Sequence, residues 1–63
     1  MSFKEARLRA NLTQEEAAKE FDVSQSCVHA WEVGKWAPRT QLLVKIAEVY
    51  GCTVDDLLKQ EGE

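Results

Sequence analysis

The sequence predicts an all-α fold, a compact arrangement of five short helices around one small core. Apolar residues recur at the three- and four-residue spacing of helices along most of the chain. Serine or threonine stands at four positions where its hydroxyl can cap a helix start. Three glycines and one proline leave few of the turns that a sheet needs. With 63 residues there is room for a single domain over 1–63.

The first helix is predicted over residues 3–10, where Ser2 and Glu5 can form a capping box. Its inward stripe is Phe3, Ala6 and Ala10. Arg7 lies on the same stripe, and an unpaired buried charge costs several kcal/mol, so this guanidinium needs a partner. Asn11 follows, and asparagine tolerates the left-handed conformation that ends many helices.

Two helices joined by a tight turn are predicted over 14–21 and 25–33. Thr13 with Glu16 forms a capping box for the first, and Ser24 can cap the second. The inward residues are Ala17, Ala18, Phe21, Val28 and Trp31. The outward face of the second helix is polar or small and almost uncharged, and its residues are Gln25, Ser26, His29, Ala30 and Val33.

Two more helices are predicted over 40–50 and 54–60. Gly34 ends the preceding helix, and Pro38 is compatible with a helix that begins close behind it. The inward stripe of the helix over 40–50 is Leu43, Ile46, Ala47 and Tyr50, widened by Leu42 and Val49. Gly51 stops it, and Thr53 caps the last helix. The inward residues there are Val54, Leu57 and Leu58, with a frayed end over 59–63.

The composition excludes several classes of protein. No apolar run approaches the roughly 20 residues that span a bilayer, and the first residues carry no signal-peptide pattern, so we expect a cytoplasmic protein. Cys27 and Cys52 form no CxxC pair, and one histidine cannot complete a zinc site, so no metal or cofactor is expected. Free thiols are the simpler interpretation, with Cys52 in the core and a redox role for Cys27 as the alternative. No Ser, His and Asp set or glycine-rich phosphate loop supports catalysis.

The formal net charge is −3, which opposes binding to nucleic acid, because phosphate neutralisation normally supplies much of the affinity. The charges are unevenly distributed along the chain. Acidic residues gather over 15–22 and again over 55–63, whereas Lys35, Arg39 and Lys45 follow the second helix of the central pair. A locally positive rim is therefore compatible with an acidic chain.

A resemblance to a known family is carried by the run LTQEEAAKEFDVSQSCVHAWEVGK, which Pro38 and KIAEVYGCTVDDLL follow. These segments resemble the helix-turn-helix DNA-binding domain of phage repressors and Cro, the lambda-repressor-like or XRE family. The likeness extends from Phe3 to Leu58. It implies an ion pair between Arg7 and Glu32 that locks the first helix against the third. The family usually has glycine at the positions of Asn11 and Asp22, both of which tolerate a left-handed conformation.

The resemblance implies that the helix beginning at Gln25 enters the major groove of double-stranded DNA. The amide of Gln25 can bond to N7 and N6 of adenine, a pairing worth about 1–3 kcal/mol of discrimination. Ser26 and His29 are further candidates for base contacts, and Ala30 could meet only a thymine methyl group. For His29 an ordinary solvated surface role is the alternative.

Phosphate contacts are expected from Thr13 and Gln14, at a helix start where free N–H groups suit an anion, and from Lys35 and Arg39. Such domains bind palindromic operators as homodimers, because a two-fold dimer presents two reading helices. Possible dimer contacts are Trp36, Pro38, Thr40 and Val54. Trp36 could instead cover the core or stack on the sugar-phosphate backbone, and the chain could be one domain of a longer regulator.

Two functions remain open at this point. The first is a sequence-specific transcriptional regulator, a repressor of phage or mobile-element type. The second is a protein-interaction module or antitoxin that keeps the fold with little DNA affinity of its own. The negative net charge of the chain is compatible with this second function.

Overall fold

The computed structural model describes residues 1–59, which form five helices and contain no strand. The helices are α1 (Phe3–Arg9), α2 (Gln14–Phe21), α3 (Gln25–Glu32), α4 (Thr40–Tyr50) and α5 (Val54–Leu58). The predicted all-α, five-helix fold class is confirmed within this range. The last residue of the helix predicted over 54–60, and most of the frayed end predicted over 59–63, lie outside the described residues.

Hydroxyl caps begin four of the five helices, as the sequence predicts. The hydroxyls of Thr13 and Thr53 each accept a backbone N–H three residues on, and both capping boxes are complete. Ser24 accepts from the Cys27 N–H at 3.1 Å and so begins α3. At Ser2 only the hydroxyl bond forms, to the Glu5 N–H at 3.0 Å.

The helix ends use the left-handed conformation that short connections require. Asn11 has a φ of 62° and Asp22 has a φ of 56°, and both residues stand where a glycine would carry less strain. Gly51 ends α4 with a φ of 74°. Each of these residues turns the chain sharply, and the next helix begins three residues later. Helices α1 and α3 each end one residue before the predicted position, and α5 ends at Leu58, so Lys59 is not helical as the prediction over 54–60 requires.

The core is centred on Trp31, whose ring lies 6.4 Å from that of Phe3 and 5.9 Å from that of Phe21. Phe21 also meets the edge of Tyr50, with a centroid distance of 5.5 Å. Ala17 is fully buried on α2, where its small side chain lets a neighbouring helix approach closely. The aromatic cluster therefore joins α1, α2, α3 and α4.

One core prediction is wrong, because Leu58 is 66% exposed. With only five residues, α5 is a little over one turn long and directs Leu57 alone fully into the core. Val54 and Cys52 are partly buried at the edge of the core. No helix in residues 1–59 has the length and apolar character to cross a bilayer.

Candidate nucleic-acid interface

The central feature is the pair α2 and α3, joined by the turn at Asp22, Val23 and Ser24. The N–H of Val23 donates to the Ala18 carbonyl at 3.0 Å, which closes the end of α2. Ser24 then caps α3. Because the turn is fixed by a backbone bond at one end and a cap at the other, the direction of α3 relative to α2 is defined locally.

The outward face of α3 consists of the exposed residues Gln25, Ser26, His29 and Val33. It presents an amide, a hydroxyl and an imidazole, followed by an apolar side chain that is 58% exposed just after the helix end. The one carboxylate of α3, that of Glu32, is turned inward, and its side chain is only 4% exposed. The face is therefore polar and carries no carboxylate.

The prediction that Ala30 lies on this face is wrong, since Ala30 is 4% exposed. After α3 the chain turns back, and the N–H of Lys35 donates to the Ala30 carbonyl at 2.9 Å. The returning segment is bonded directly to this turn of the helix. Val33 is thus the apolar residue that remains on the outward face, and a base contact by Ala30 is excluded in this conformation.

The structure brings Arg7 and Glu32 together in a buried ion pair. The Arg7 Nε lies 2.6 Å from Glu32 Oε2, and Nη2 lies 3.3 Å from Oε1. The side chains are 8% and 4% exposed. Arg7 Nη1 also donates to the Leu12 carbonyl at 2.8 Å, so three of its nitrogens have a partner. The hydrogen bond to Glu32 raises the pKa of Arg7 above its ordinary value, although burial acts in the opposite direction.

The side chain of Gln14 links this ion pair to the exposed face of α3, a contact that sequence reasoning missed. Gln14 Nε2 donates to Glu32 Oε1 at 2.9 Å, and Gln14 Oε1 accepts from Gln25 Nε2 at 3.3 Å. Because a carboxylate only accepts hydrogen bonds, the amide of Gln14 must direct its nitrogen to Glu32 and its oxygen to Gln25. The orientation of the Gln25 amide is therefore set from inside the protein.

Sequence spacing gives little signal for this bridge through Gln14, because Gln14 lies 11 residues from Gln25 and 18 residues from Glu32. The first residue of α2 and the first residue of α3 both begin helices after a hydroxyl cap. Two glutamines at equivalent positions of adjacent helices were the available clue. The side-chain amide of Gln14 is thus bonded at both ends within the protein, and its predicted contact with a phosphate stays a prediction.

The other residues predicted to contact phosphate are Thr13, Lys35 and Arg39. The N–H and hydroxyl of Thr13 are used by the capping box with Glu16. The N–H groups of the first turn of α2 that this box leaves open are those of Gln14 and Glu15. Lys35 and Arg39 are exposed, and within residues 1–59 neither forms an ion pair.

Exposed carboxylates on α2 and at its end counteract the attraction of Lys35 and Arg39 for phosphate. Glu15, Glu16, Glu20 and Asp22 are all exposed, and they would repel phosphate groups that approached this helix. The exposed charge of the helix pair is therefore mixed, with cations after α3 and mostly carboxylates on and just after α2.

Two of the four residues predicted as dimer contacts line a groove, and the dimer contacts themselves stay a prediction. Trp36 and Pro38 line a groove between α3 and α4, whereas Thr40 and Val54 are not part of that groove. Trp36 is 63% exposed, so the interpretation that it covers the core is wrong. Within the range 1–59, no group of three or more His, Cys, Asp or Glu residues is placed to hold a metal ion.

A capped helix pair on a small core, with an uncharged polar face on its second helix, defines a domain of the helix-turn-helix class. A sequence profile described as helix-turn-helix matches residues 3–57. The chain belongs to this family, in its XRE or lambda-repressor-like form, a non-enzymatic class of DNA-binding domains.

Proteins named as HTH-type transcriptional regulators are similar to the chain. The uncharacterized HTH-type transcriptional regulator MJ0272 of Methanocaldococcus jannaschii is 40% identical over 53 residues, which cover 84% of this chain and 80% of that protein. An uncharacterized HTH-type transcriptional regulator of Archaeoglobus fulgidus is 39% identical over 54 residues, covering 86% and 76%.

The HTH-type transcriptional activator BcrR of Enterococcus faecalis is 38% identical over 55 residues, covering 87% of this chain but only 27% of the activator. No solved structure matches the chain significantly.

Proposed function

We propose that this chain is a sequence-specific regulator of transcription that inserts α3 into the major groove of double-stranded DNA. The observation that carries the proposal is the exposed, carboxylate-free face of α3, on which the amide of Gln25 is held by Gln14. Residues 1–63 then act as one DNA-binding domain. By analogy with the family, the regulator is a repressor of phage or mobile-element type.

The dimensions of α3 support this role. With its side chains, the eight-residue α3 is about 10–12 Å in diameter, which fits the width of about 12 Å of the major groove. In this proposal Gln25, in the first turn of α3, pairs with adenine, while Ser26 and His29 contact neighbouring base edges. Val33, rather than Ala30, supplies the apolar contact to a thymine methyl group.

The contacts to the sugar-phosphate backbone come from both ends of the helix pair. The N–H groups at the start of α2, next to Thr13 and Gln14, suit one phosphate, and Lys35 and Arg39 suit others. A homodimer would place two such helices on a palindromic operator, with half-sites about 34 Å apart.

Selection from a pool of random duplexes at low salt tests the proposal. We expect enrichment of a palindromic site, with an affinity that falls as salt is raised because counterions are released from the phosphates. A reporter gene downstream of the selected site then gives the sign of regulation, and a repressor lowers its expression. Failure to enrich any sequence at low salt would contradict the proposal.

A second function is favoured by the exposed carboxylates of α2, Glu15, Glu16 and Glu20. These charges weaken attraction to DNA, and they suit a protein-interaction module or antitoxin that binds DNA little by itself. Tight capture of one protein partner, together with no enriched duplex, would support this alternative.

A further inference from the structure

A groove between α3 and α4 lies apart from the base-reading face of α3, and Arg39 is the one residue that it shares with the proposed phosphate contacts. We call it the Trp36 groove; its volume is about 780 Å³, and its apolar lining includes Val23, Cys27, Trp36, Pro38 and Leu42. This volume lies within the range of about 300–1,000 Å³ that is typical of ligand sites. Trp36 is the most exposed of the aromatic residues and forms part of the groove wall.

The groove opens away from the reading face of α3. Cys27 lines the groove, and His29 lies on the exposed reading face. At about 100° per residue, these two positions are about 160° apart around the helix axis. A molecule in the groove therefore need not displace bases from α3.

The charged residues that line the groove are both cations. Arg39 and Lys45 flank the apolar wall, and no carboxylate among residues 1–59 lines it. Neither cation forms an ion pair with any residue in 1–59. An occupant that matches this surface carries negative charge beside a large apolar side chain.

We infer that the Trp36 groove binds an acidic segment of a partner protein, with an aromatic or aliphatic side chain seated against Trp36. A DNA backbone supplies the negative charge, but its sugars offer less apolar area to cover Val23 and Leu42 than an aromatic or aliphatic side chain does. The groove is also lined by exposed residues, including Gln41 and Lys45, so it is open along its length. An extended peptide fits such an open groove better than a small molecule, which requires enclosure on most sides.

The test is a random peptide library displayed on phage and selected against the protein without DNA. We expect the enriched peptides to combine two or more acidic residues with one Trp, Phe or Leu. In titrations of a selected synthetic peptide, Trp36→Ala should weaken binding about 30-fold, as expected for an aromatic anchor. Lys45→Glu should weaken binding about tenfold.

Matched controls separate docking from general charge effects. Lys4→Glu makes the same charge change at an exposed position on α1, outside the groove, and should leave peptide affinity unchanged. A peptide with lysines in place of its acidic residues should bind Lys45→Glu more tightly than the unmodified protein. Backbone amide NMR shifts on binding should map to residues of the groove, including Cys27 and Leu42.

Three results would overturn the inference: no enriched peptide, enriched peptides without acidic residues, or amide shifts confined to other surfaces. Self-association that Trp36→Ala abolishes would assign the groove to a second copy of the chain. Because the selection omits DNA, its outcome is independent of the proposed regulation. Gln25→Ala, which lies outside the groove, should keep full peptide affinity even though it alters DNA recognition.

Discussion

Glu32 receives hydrogen bonds from both Arg7, at 2.6 Å, and Gln14, at 2.9 Å, so one buried carboxylate joins α1, α2 and α3. The position of Glu32 on the inward side of α3 fixes the rotation of that helix about its axis. Gln25 is held at the outer end of the same network through Gln14. The polar interior and the proposed reading face are therefore one connected structure.

Replacing the shared carboxylate should destabilise the protein strongly. Glu32→Ala leaves the Arg7 guanidinium buried without a counter-charge, and we expect a loss of about 3–5 kcal/mol in the free energy of unfolding. Urea denaturation measures it. The control is Glu5→Ala, which removes an exposed carboxylate 3.7 Å from Arg9 and should cost less than about 1 kcal/mol.

The double variant Arg7→Met with Glu32→Leu gives a second measurement if Glu32→Ala does not fold. Because this variant buries no charge, it should recover much of the stability that the single variant loses. Equal effects of Glu32→Ala and Glu5→Ala would show that the buried pair has no special role.

The turn after α2 offers a stabilising substitution. Asp22 has a φ of 56°, a conformation that strains most residues but not glycine, and its carboxylate lies at the negative end of the helix dipole. Asp22→Gly should therefore stabilise the protein by about 0.5 kcal/mol. Thermal or urea unfolding measures this change.

Glu20→Gly is the matched control, because it also removes one exposed carboxylate from α2 but places glycine within the helix. It should destabilise the protein by about 0.5–1 kcal/mol. The explanation by backbone conformation fails if both substitutions change stability in the same direction and by the same amount.

Alkaline pH should destabilise the fold through Tyr50, the only tyrosine in the chain. Burial of its hydroxyl, together with the nearby Glu32 carboxylate, raises the pKa of Tyr50 from 10.0 to about 12. Between these values the unfolded chain releases the proton and the folded chain keeps it. Stability is therefore fully present below pH 10 and falls as the pH rises towards 12.

Ultraviolet absorbance of tyrosinate reports this titration without interference from another tyrosine. Tyr50→Phe, compared with the unmodified protein by urea denaturation across the same pH range, should lose less stability. It should cost little at neutral pH, because the buried hydroxyl has no hydrogen-bond partner among residues 1–59. Identical pH profiles for the two proteins would refute the assignment.

The starts of the helices could be predicted from sequence because a cap is a local interaction. Ser24 and Thr53 contact backbone groups only three residues away, and the hydroxyl alone indicates the position. The ion pair of Arg7 with Glu32 was expected only through the family resemblance. The helical stripe identifies Arg7 as a buried charge, but its partner Glu32 lies 25 residues away along the chain.

The errors arose where tertiary structure decides burial. Helical spacing predicts Ala30 on the outer face, yet Ala30 is 4% exposed, and the segment after α3 returns to bond to its carbonyl. Leu58 is apolar, as core residues usually are, but α5 is too short to bury it beside Leu57. The bridge from Gln14 to Gln25 depends on how two helices cross, which no local pattern encodes.

The most direct measurement of the central claim is the affinity of Gln25→Ala for the selected operator and for each of its single-base variants. We predict that discrimination falls by about 1–3 kcal/mol at one base pair of each half-site and is kept at the others. Lys35→Ala should instead weaken all sequences alike and reduce the salt dependence. If Gln25→Ala weakened every sequence equally, the claim that α3 reads bases through Gln25 would be contradicted.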